Sequence, residues 1–314
     1  HQSLTVIPLR RRKEPSTRYT TLEEALERNL ISVTEISESG SVPELQVSTT
    51  SNTAILLLDG EELVGAKQNR VLNSTVLIRP ESKTVIPVSC VEQGRWAYAS
   101  KEFKSSRNFM NVTTRSKKSR SVHASLRSSG VPRSDQGEVW KEVAELSSEL
   151  QAPSDTGAMS DVFQQREEDI SQFEGPLRWV DGQQGMIVLL GNEVLGLDYL
   201  SQPEAYRQLH PRLVRSYALE AIRRRNGHSA EGAQEEGRQF LERVLSSKNP
   251  ERYQSAGLGT DWRFENKQVI GSVLEYQDEV IHAAFFPNDD DGKRKVSKSR
   301  PIAPFSTRKR SRRK

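Results

Sequence analysis

The chain contains a single cysteine, Cys90, among its 314 residues. One cysteine excludes an intramolecular disulfide framework and any zinc site built mainly from thiolates. Proteins without disulfides are typical of reducing compartments, so we expect a cytoplasmic location. Cys90 lies between Val88 and Val91 in an apparent strand, and no histidine is adjacent to it in sequence. We therefore interpret Cys90 as a buried core residue rather than a nucleophile.

Long apolar runs are also absent. The longest unbroken runs, residues 54–58 and 186–190, have five residues each. A helix that spans a membrane needs about 20 apolar residues. The N-terminus places its charges after a short apolar stretch, which is the reverse of a secretory signal. We therefore expect neither a membrane-spanning helix nor a membrane partner.

The familiar catalytic signatures are missing as well. The sequence has no G-x-x-x-x-G-K-[ST] phosphate loop, no G-x-G-x-x-G, no H-E-x-x-H and no G-x-S-x-G. Its five histidines are scattered, and no two of them have the helical spacing of metal ligands. No metal site is predicted, and the sequence does not identify a cofactor.

Acidic residues are absent from two segments that are rich in lysine and arginine. Residues 293–314 contain 11 Lys/Arg, and residues 103–134 contain 8 together with 9 serines. Without these cations the net charge of +4 becomes −15 for the rest of the chain. The protein is thus an acidic body that carries two basic segments. We expect both segments to be flexible because they lack sustained hydrophobic periodicity.

The remainder of the sequence mixes helix and strand patterns. Apolar residues recur at helical spacing in residues 21–30, 136–150, 160–173, 201–225 and 235–245, with a break or kink expected at Pro211. Strand–turn–strand patterns predict hairpins over residues 54–66, 71–91, 186–197 and 272–286. No regular βαβ alternation is present. The sequence therefore predicts an α+β fold, a hairpin-rich sheet or sandwich with several packed helices.

These patterns divide the chain into four parts. We expect a β-rich N-terminal part, a basic serine-rich loop, a helical and hairpin part, and a basic tail, over residues 1–102, 103–134, 135–292 and 293–314. The first and third parts are predicted to pack together as one compact unit.

Polar side chains are concentrated beside the apolar strands of the N-terminal part, in residues 59–73 and 88–96. Carboxylates can transfer protons or bind Mg²⁺, so Glu62 and Glu92 are the candidate catalytic residues. Cationic, amide and aromatic side chains can hold phosphate and orient a base or a sugar. The candidate ligand-binding residues are Lys67, Gln68, Asn69, Arg70, Asn73, Arg95 and Trp96.

A structural interpretation of the same residues stays open. Glu62 can be solvated beside a turn, Arg95 can pair with Glu92, and Trp96 can belong to the core. The two interpretations differ in geometry. A ligand site requires that one concave surface be lined by Glu62, Gln68, Asn69, Arg70, Glu92 and Arg95.

Long motifs in the sequence resemble a known family. They are LLLDGEELVGAKQNRVLN, IPVSCVEQGRW, QGEVW, DTGAM and GNEVLGLDYLSQPEAYRQLHPRLVRSYALEA. Over roughly residues 9–286, the chain resembles the prokaryotic ARG and Rhodanese-Phosphatase-superfamily-associated protein family. The family name implies an association with ADP-ribosylglycohydrolases and phosphatases, and hence with ADP-ribose or nucleotide metabolism. It defines no reaction, and nothing carries over to the two basic segments.

Three classes of function follow from these observations. The first is a protein with a site for ADP-ribose or a related nucleotide, with or without catalysis. The second is a protein that binds nucleic acid or another polyanion through its basic segments, weakly, without sequence preference and with steep salt dependence. The third is a non-catalytic assembly or scaffold protein. A homo-oligomer is compatible with all three.

Overall fold

The computed structural model of the chain describes residues 4–11, 13–37, 43–224 and 230–288. The described residues form seven helices and sixteen strands. The helices are α1 (Leu22–Glu27), α2 (Val112–Ser129), α3 (Gln136–Glu149), α4 (Met159–Gln165), α5 (Glu167–Glu174), α6 (Pro203–Arg223) and α7 (Ala233–Leu245). The strands are β1 (Leu4–Leu9), β2 (Tyr19–Thr21), β3 (Ile31–Glu35), β4 (Glu44–Thr49), β5 (Ala54–Leu57), β6 (Glu61–Gly65), β7 (Arg70–Leu72), β8 (Val76–Ile78), β9 (Lys83–Cys90), β10 (Phe103–Phe109), β11 (Gly185–Leu190), β12 (Glu193–Leu200), β13 (Glu251–Gln254), β14 (Thr260–Glu265), β15 (Val269–Tyr276) and β16 (Glu279–Pro287). Within these ranges, none of the helices combines the length and the apolar character that crossing a bilayer requires.

The largest sheet contains seven antiparallel strands in the order β1-β11-β12-β16-β15-β14-β13. Its apolar side chains alternate between two faces, as strand geometry requires. Met186 and Val188 of β11 join the main core, which includes α6, whereas Ile187 and Leu189 join a second cluster with Phe240 of α7. Helices therefore cover both faces of this sheet.

Two smaller sheets are formed by the strands of the N-terminal part. One has six antiparallel strands in the order β10-β6-β7-β9-β4-β3, and the other has the order β2-β5-β8, with β2 and β5 parallel. The edge strands β10 and β3 approach each other, so the six-stranded sheet is curled. Leu63, Leu72 and Val88 pack there against residues of α1 and β5. The α+β class predicted from the sequence is confirmed.

Two of the four predicted hairpins are confirmed. β11 pairs with β12 across a tight turn, and β15 pairs with β16 in the same way. The second turn contains Gln277 and Asp278, whose φ angles of 53° and 59° suit a two-residue hairpin connection.

The hairpin over residues 54–66 is wrong because its two strands join different sheets, and the one over residues 71–91 is correct only for β7. β5 pairs with β2 and β8, whereas β6 pairs with β10 and β7. In residues 71–91, β7 pairs with β9, but β8 pairs with β5. Asp59 and Gly60 therefore connect two sheets instead of two neighbouring strands.

The expected basic loop over residues 103–134 is also wrong, because the segment forms β10 and the 18-residue helix α2. Long polar side chains occupy positions on the helix where apolar ones would normally be found. Arg115 and Lys118 are buried and form ion pairs with Asp198 and Asp59. A helix buried through ion pairs shows little of the apolar periodicity on which sequence prediction depends.

The remaining predicted helices are present with some changes. Thr21 caps α1 by accepting a hydrogen bond from the backbone N–H of Glu24. The break expected at Pro211 is wrong, since α6 continues through that residue. Residues 160–173 are divided at Arg166 into α4 and α5. The predicted basic tail, 293–314, lies outside the described residues.

One core cluster contains residues from both ends of the chain. Leu56 and Leu58 of the N-terminal part share it with Leu146 of α3, Leu213 of α6 and Ile281 of β16. The two parts therefore bury apolar side chains in a common interior.

Candidate functional site

The candidate site lies where the turn between β6 and β7 meets the segment that follows β9. Arg95 is the centre of its hydrogen bonds. The guanidinium donates to Glu92 (2.9 and 2.7 Å), to the carbonyl of Ala66 (2.7 Å) and to Asn69 Oδ1 (3.1 Å). Burial alone would raise the pKa of Glu92, but hydrogen bonds from Arg95 and from the Asn69 N–H lower it. Arg95 and Glu92 thus form the internal pair that the structural interpretation expected.

Arg70 does not reach the surface, since its side chain is 0% exposed. It donates to Gln68 Oε1 (3.0 Å) and Cys90 Sγ (2.7 Å), and its Nη2 lies 3.5 Å from Glu35 Oε1. Burial, which outweighs the charge of Arg70, raises the pKa of Cys90 to about 11. Cys90 is therefore a protonated core thiol at neutral pH, and Arg70 is a buried cation that no phosphate can contact in this arrangement.

The strand register separates the predicted residues between two faces of the sheet. Arg70 lies opposite Leu63 and Cys90, whereas Glu62 lies opposite Val71 on the same strand pair. Residues opposite each other share a face, and consecutive residues point to opposite faces. The expectation of one common surface is therefore wrong for Glu62 and Arg70.

Glu62 is a fully buried carboxylate without a hydrogen bond. It is 0% exposed, and within the described ranges neither carboxylate oxygen has a partner of hydrogen-bonding geometry. Burial raises the pKa of Glu62 from 4.5 to about 7; polar groups of Ser106 and Asn108 limit the shift, and the charges of Glu92 and Asp161 add to it. A carboxyl group with a pKa near 7 can act as acid or base at physiological pH.

The strand beside Glu62 is irregular. The pairing of β10 with β6 shifts register within residues 105–109, and Arg107 adopts a left-handed φ of 64°. Bulges of this kind redirect side chains and are common next to functional sites. Arg107 is held from outside by ion pairs of 2.7 Å to Glu23 and 3.1 Å to Glu27 of α1. The segment that provides Ser106 and Asn108 is thus fixed in a distorted conformation.

Trp96 and Tyr98 form the exposed part of the region. Together with Lys67, which is only 8% exposed and contacts both rings, we call them the aromatic platform. Trp96 is 49% exposed and Tyr98 is 52% exposed, more than any other aromatic side chain in the described part of the chain. Lys67 Nζ lies 5.3 Å from the Trp96 ring centre and 5.1 Å from that of Tyr98, within the range of cation–π attraction. The alternative in which Trp96 belongs to the core is wrong.

Most of the sequence-predicted residues meet around this turn, but Asn73 does not. Gln68 Nε2 donates to the carbonyl of Gln93 (3.4 Å), and Asn69 Nδ2 donates to Ser160 Oγ (3.2 Å). The side chain of Asn73 instead donates to the carbonyl of Pro132 and accepts from Ser89 Oγ. The residues that the structure brings together are Lys67, Gln68, Asn69, Arg70, Glu92, Arg95 and Trp96.

A second polar group, which the sequence did not reveal, lies where α2 contacts β7 and β12. Lys118 pairs with Asp59 and donates to the carbonyl of Leu72 (2.9 Å). Arg115 donates to Asp198 at 2.8 Å, and the hydroxyl of Tyr217 donates to the same carboxylate at 2.7 Å. Burial lowers the pKa of Lys118 although Asp59 opposes the shift. The pairing of these charges indicates a structural role.

Metal binding gains no support from the geometry. In the described ranges, no group of three or more His, Cys, Asp or Glu side chains is placed to hold a metal ion. Of the two candidate carboxylates, Glu92 forms an ion pair with Arg95, whereas Glu62 has no ion pair among the described residues.

Fold and site together define an α+β domain in which a polar frame lies beneath an exposed aromatic platform, with a buried carboxylate, Glu62, on the face of β6 opposite to Arg70. The frame consists of Gln68, Asn69, Arg70, Glu92 and Arg95. The family model of the ARG and Rhodanese-Phosphatase-superfamily-associated Protein domain matches residues 1–286. The chain belongs to this family, which confirms the resemblance noted in its sequence. No curated protein and no solved structure matches the chain.

Proposed function

We propose that the protein binds ADP-ribose or a related nucleotide at the aromatic platform. The observation that carries this proposal is the pair of half-exposed rings, Trp96 and Tyr98, placed around the ammonium group of Lys67. Large exposed aromatic side chains are uncommon on a protein surface without a binding role. A nucleobase can stack on such rings, and a nearby cation attracts its phosphates.

The frame beneath the platform gives the rings a fixed position. Arg95 donates to the carbonyls of Ala66 and Ala97, which flank Lys67 and Trp96 in sequence. Arg70 lies 5.7 Å from the centre of the Trp96 ring. In this proposal Lys67 and Trp96 contact the ligand, whereas Arg70 and Arg95 position them. Prior ordering of a site reduces the entropic cost of binding.

Glu62 is the proposed acid or base if the protein also catalyses a reaction. Its pKa of about 7 leaves both protonation states populated at neutral pH. Cleavage of a glycosidic or phosphate bond in a nucleotide uses a group of this kind to protonate the leaving group or to activate water. Because Glu62 is fully buried, turnover would require the covering segment of β10 to move.

The test is isothermal titration of ADP-ribose, AMP and inorganic phosphate into the full chain and two variants, Trp96→Ala and Lys67→Ala. Loss of base stacking costs about 1–3 kcal/mol, so Trp96→Ala should weaken ADP-ribose and AMP binding roughly 5- to 150-fold. Lys67→Ala should weaken binding of all three ligands, because each of them carries phosphate.

The matched control is Arg207→Ala, which removes the cation from another cation–π pair, Arg207 with Trp179 at 5.1 Å. It should leave the affinity unchanged. No binding of any of the three ligands to the full chain, or equal affinities in the Trp96→Ala variant, would refute the proposal and favour the scaffold alternative.

The polyanion alternative is weaker than the sequence suggested. Residues 103–134 contain eight cations, and five of them form ion pairs with carboxylates of the same chain. These five are Arg107, Arg115, Lys117, Lys118 and Arg127. Cations that are neutralised within the fold contribute little to phosphate binding. That alternative now rests on the basic tail.

A further inference from the structure

A groove separate from the aromatic platform runs between α3 and the segment 151–157. Its volume is about 320 Å³, at the lower end of the range for small-molecule sites, about 300–1,000 Å³. The residues that matter for its chemistry are Gln93, Trp140, Val143, Ala144, Ser148 and Gln151. None of the three residues of the platform lines it.

The wall of the groove is held rigidly. Arg166 donates to the carbonyls of Leu150 and Gln151, and Ser147 Oγ donates to the carbonyl of Ala152 at 2.6 Å. Gln151 itself has a left-handed φ of 50°, a conformation that these contacts maintain. The other end of the segment 151–157 is fixed as well, because the Gly94 N–H donates to the carbonyl of Thr156 at 2.7 Å. The groove is therefore preformed and does not depend on a mobile loop.

The chemistry of the lining excludes a charged ligand. No lysine, arginine, aspartate or glutamate lines the groove. Phosphate or carboxylate groups would have no partner there, and desolvating them without one is costly. The apolar contribution comes from Val143, Ala144 and the indole of Trp140, which offers an aromatic surface.

Hydrogen-bonding groups in the groove are available to a ligand. Trp140 offers the groove its ring and not its indole N–H, because the indole nitrogen is buried below the surface. The exposed amides of Gln93 and Gln151 can donate and accept, as the edge of a nucleobase requires.

We propose that this groove is a second binding site, for a neutral planar heteroaromatic ring of the nucleobase or nucleoside type. The ring would pack against Trp140, and its ring nitrogens, amino groups or carbonyl would exchange hydrogen bonds with the amides of Gln93 and Gln151. The site is distinct from the platform, where Lys67 favours the charged part of a ligand, and it does not depend on the proposed function.

The test uses adenosine, a neutral probe, in isothermal titration with the full chain. Ala144→Leu places a larger side chain in the groove at an exposed helix position, so the fold should be retained. We expect at least a tenfold loss of adenosine affinity in this variant, and a smaller loss in Trp140→Phe, which keeps a ring of smaller stacking area. Ser148→Leu provides a second block one turn along α3. Glu145→Leu, beside Ala144 but not lining the groove, is the control and should bind as the unmodified chain does.

Two outcomes overturn the proposal. One is the absence of adenosine binding to the unmodified chain. The other is adenosine affinity that is unchanged in Ala144→Leu and Ser148→Leu but lost in Trp96→Ala. The second outcome places the nucleoside on the platform and would support the proposed function while removing the groove. The opposite outcome is that adenosine affinity is lost only in the groove variants and the unmodified chain does not bind ADP-ribose. It would support the groove as a binding site and refute the proposed function.

Discussion

Glu61 and Glu62 are adjacent in sequence and lie in opposite environments. Glu61 Oε1 lies 2.7 Å from Arg212 of α6, and Glu61 Oε2 accepts from the backbone N–H of Leu58. Glu62 points to the other face of β6 and has neither an ion pair nor a hydrogen bond within the described ranges. A buried carboxylate that only the polar groups of Ser106 and Asn108 partly compensate costs stability, and such costs are typical of functional sites.

The pKa of Glu62 predicts a specific dependence of stability on pH. A carboxyl whose pKa rises from 4.5 to about 7 on folding binds more protons in the folded state. Its stability contribution is present below pH 4.5 and is lost as pH rises through 7. Glu62→Gln removes this titration. At pH 8 the variant should therefore be more stable than the unmodified chain, by up to about 3 kcal/mol.

Urea denaturation at pH 5 and at pH 8 measures this difference. At pH 5 the two proteins should differ little, because Glu62 is then mostly protonated in the folded state. Glu145→Gln, at an exposed helix position, is the control and should keep the pH dependence of the unmodified chain. A Glu62→Gln variant that is less stable than the unmodified chain at pH 8 would contradict the assignment.

The sequence identified Glu62 as a candidate but could not show why it is unusual. Its isolation depends on β10 and α4, which are distant in sequence. The sequence also could not show that Arg70 is buried and that Trp96 is exposed. Average burial tendencies place tryptophan inside and arginine outside, yet here Arg70 is buried with Glu35 and Trp96 is half exposed. Arg70 is buried together with the carboxylate of Glu35, and the exposed ring of Trp96 makes a cation–π contact with Lys67.

Helix α2 is the element that departs furthest from its prediction. It contains no acidic residue, and its buried residues include Arg115, Lys118 and His123 beside Val122 and Leu126. The carboxylates that neutralise the two cations come from the 59–60 turn and from β12. No local pattern can indicate such partners, since each ion pair joins distant parts of the chain.

Lys118 should be the critical cation of α2. Lys118→Met leaves Asp59 buried without its partner, which typically costs about 3–5 kcal/mol. Adding Asp59→Asn removes the uncompensated charge and should restore part of the loss. Chemical denaturation of the two single variants and the double variant gives the coupling between the residues.

Arg127→Met is the control on the same helix. Arg127 is 46% exposed, and its ion pairs with Glu251 and Glu265 are partly solvated. Such pairs contribute about 1 kcal/mol or less. Equal effects of the Lys118 and Arg127 substitutions would show that burial of the Lys118–Asp59 pair does not determine the stability of this helix.

Strand pairing is a second feature of the fold that the sequence predicted only in part. Residues 54–66 have the apolar strand and the Asp-Gly turn of a hairpin, and both strands exist as predicted. Their partners differ, because β5 joins β2 and β8 while β6 joins β10 and β7. An apolar run predicts that a strand is buried, but it does not identify the neighbouring strand.

For the molecule as a whole, the structure assigns much of its positive charge to internal contacts. Five cations of residues 103–134 neutralise carboxylates of the acidic body. The cations of this basic segment thus neutralise carboxylates of the same chain. The 11 cations of residues 293–314 are the largest remaining concentration of positive charge. Any binding of nucleic acid should therefore depend on the tail.

Truncation tests this dependence. The full chain and a chain ending at Asp291 are compared by filter binding to single-stranded DNA at low and moderate salt. The full chain should bind weakly, with a logarithmic salt slope of about −0.7 for each phosphate neutralised, and the truncated chain should lose the binding. Lys104→Ala with Arg133→Ala, at exposed positions of the 103–134 segment, is the control and should change little. Equal binding by the full and truncated chains would show that the tail is not responsible, and no binding by either at low salt would exclude nucleic acid as a ligand.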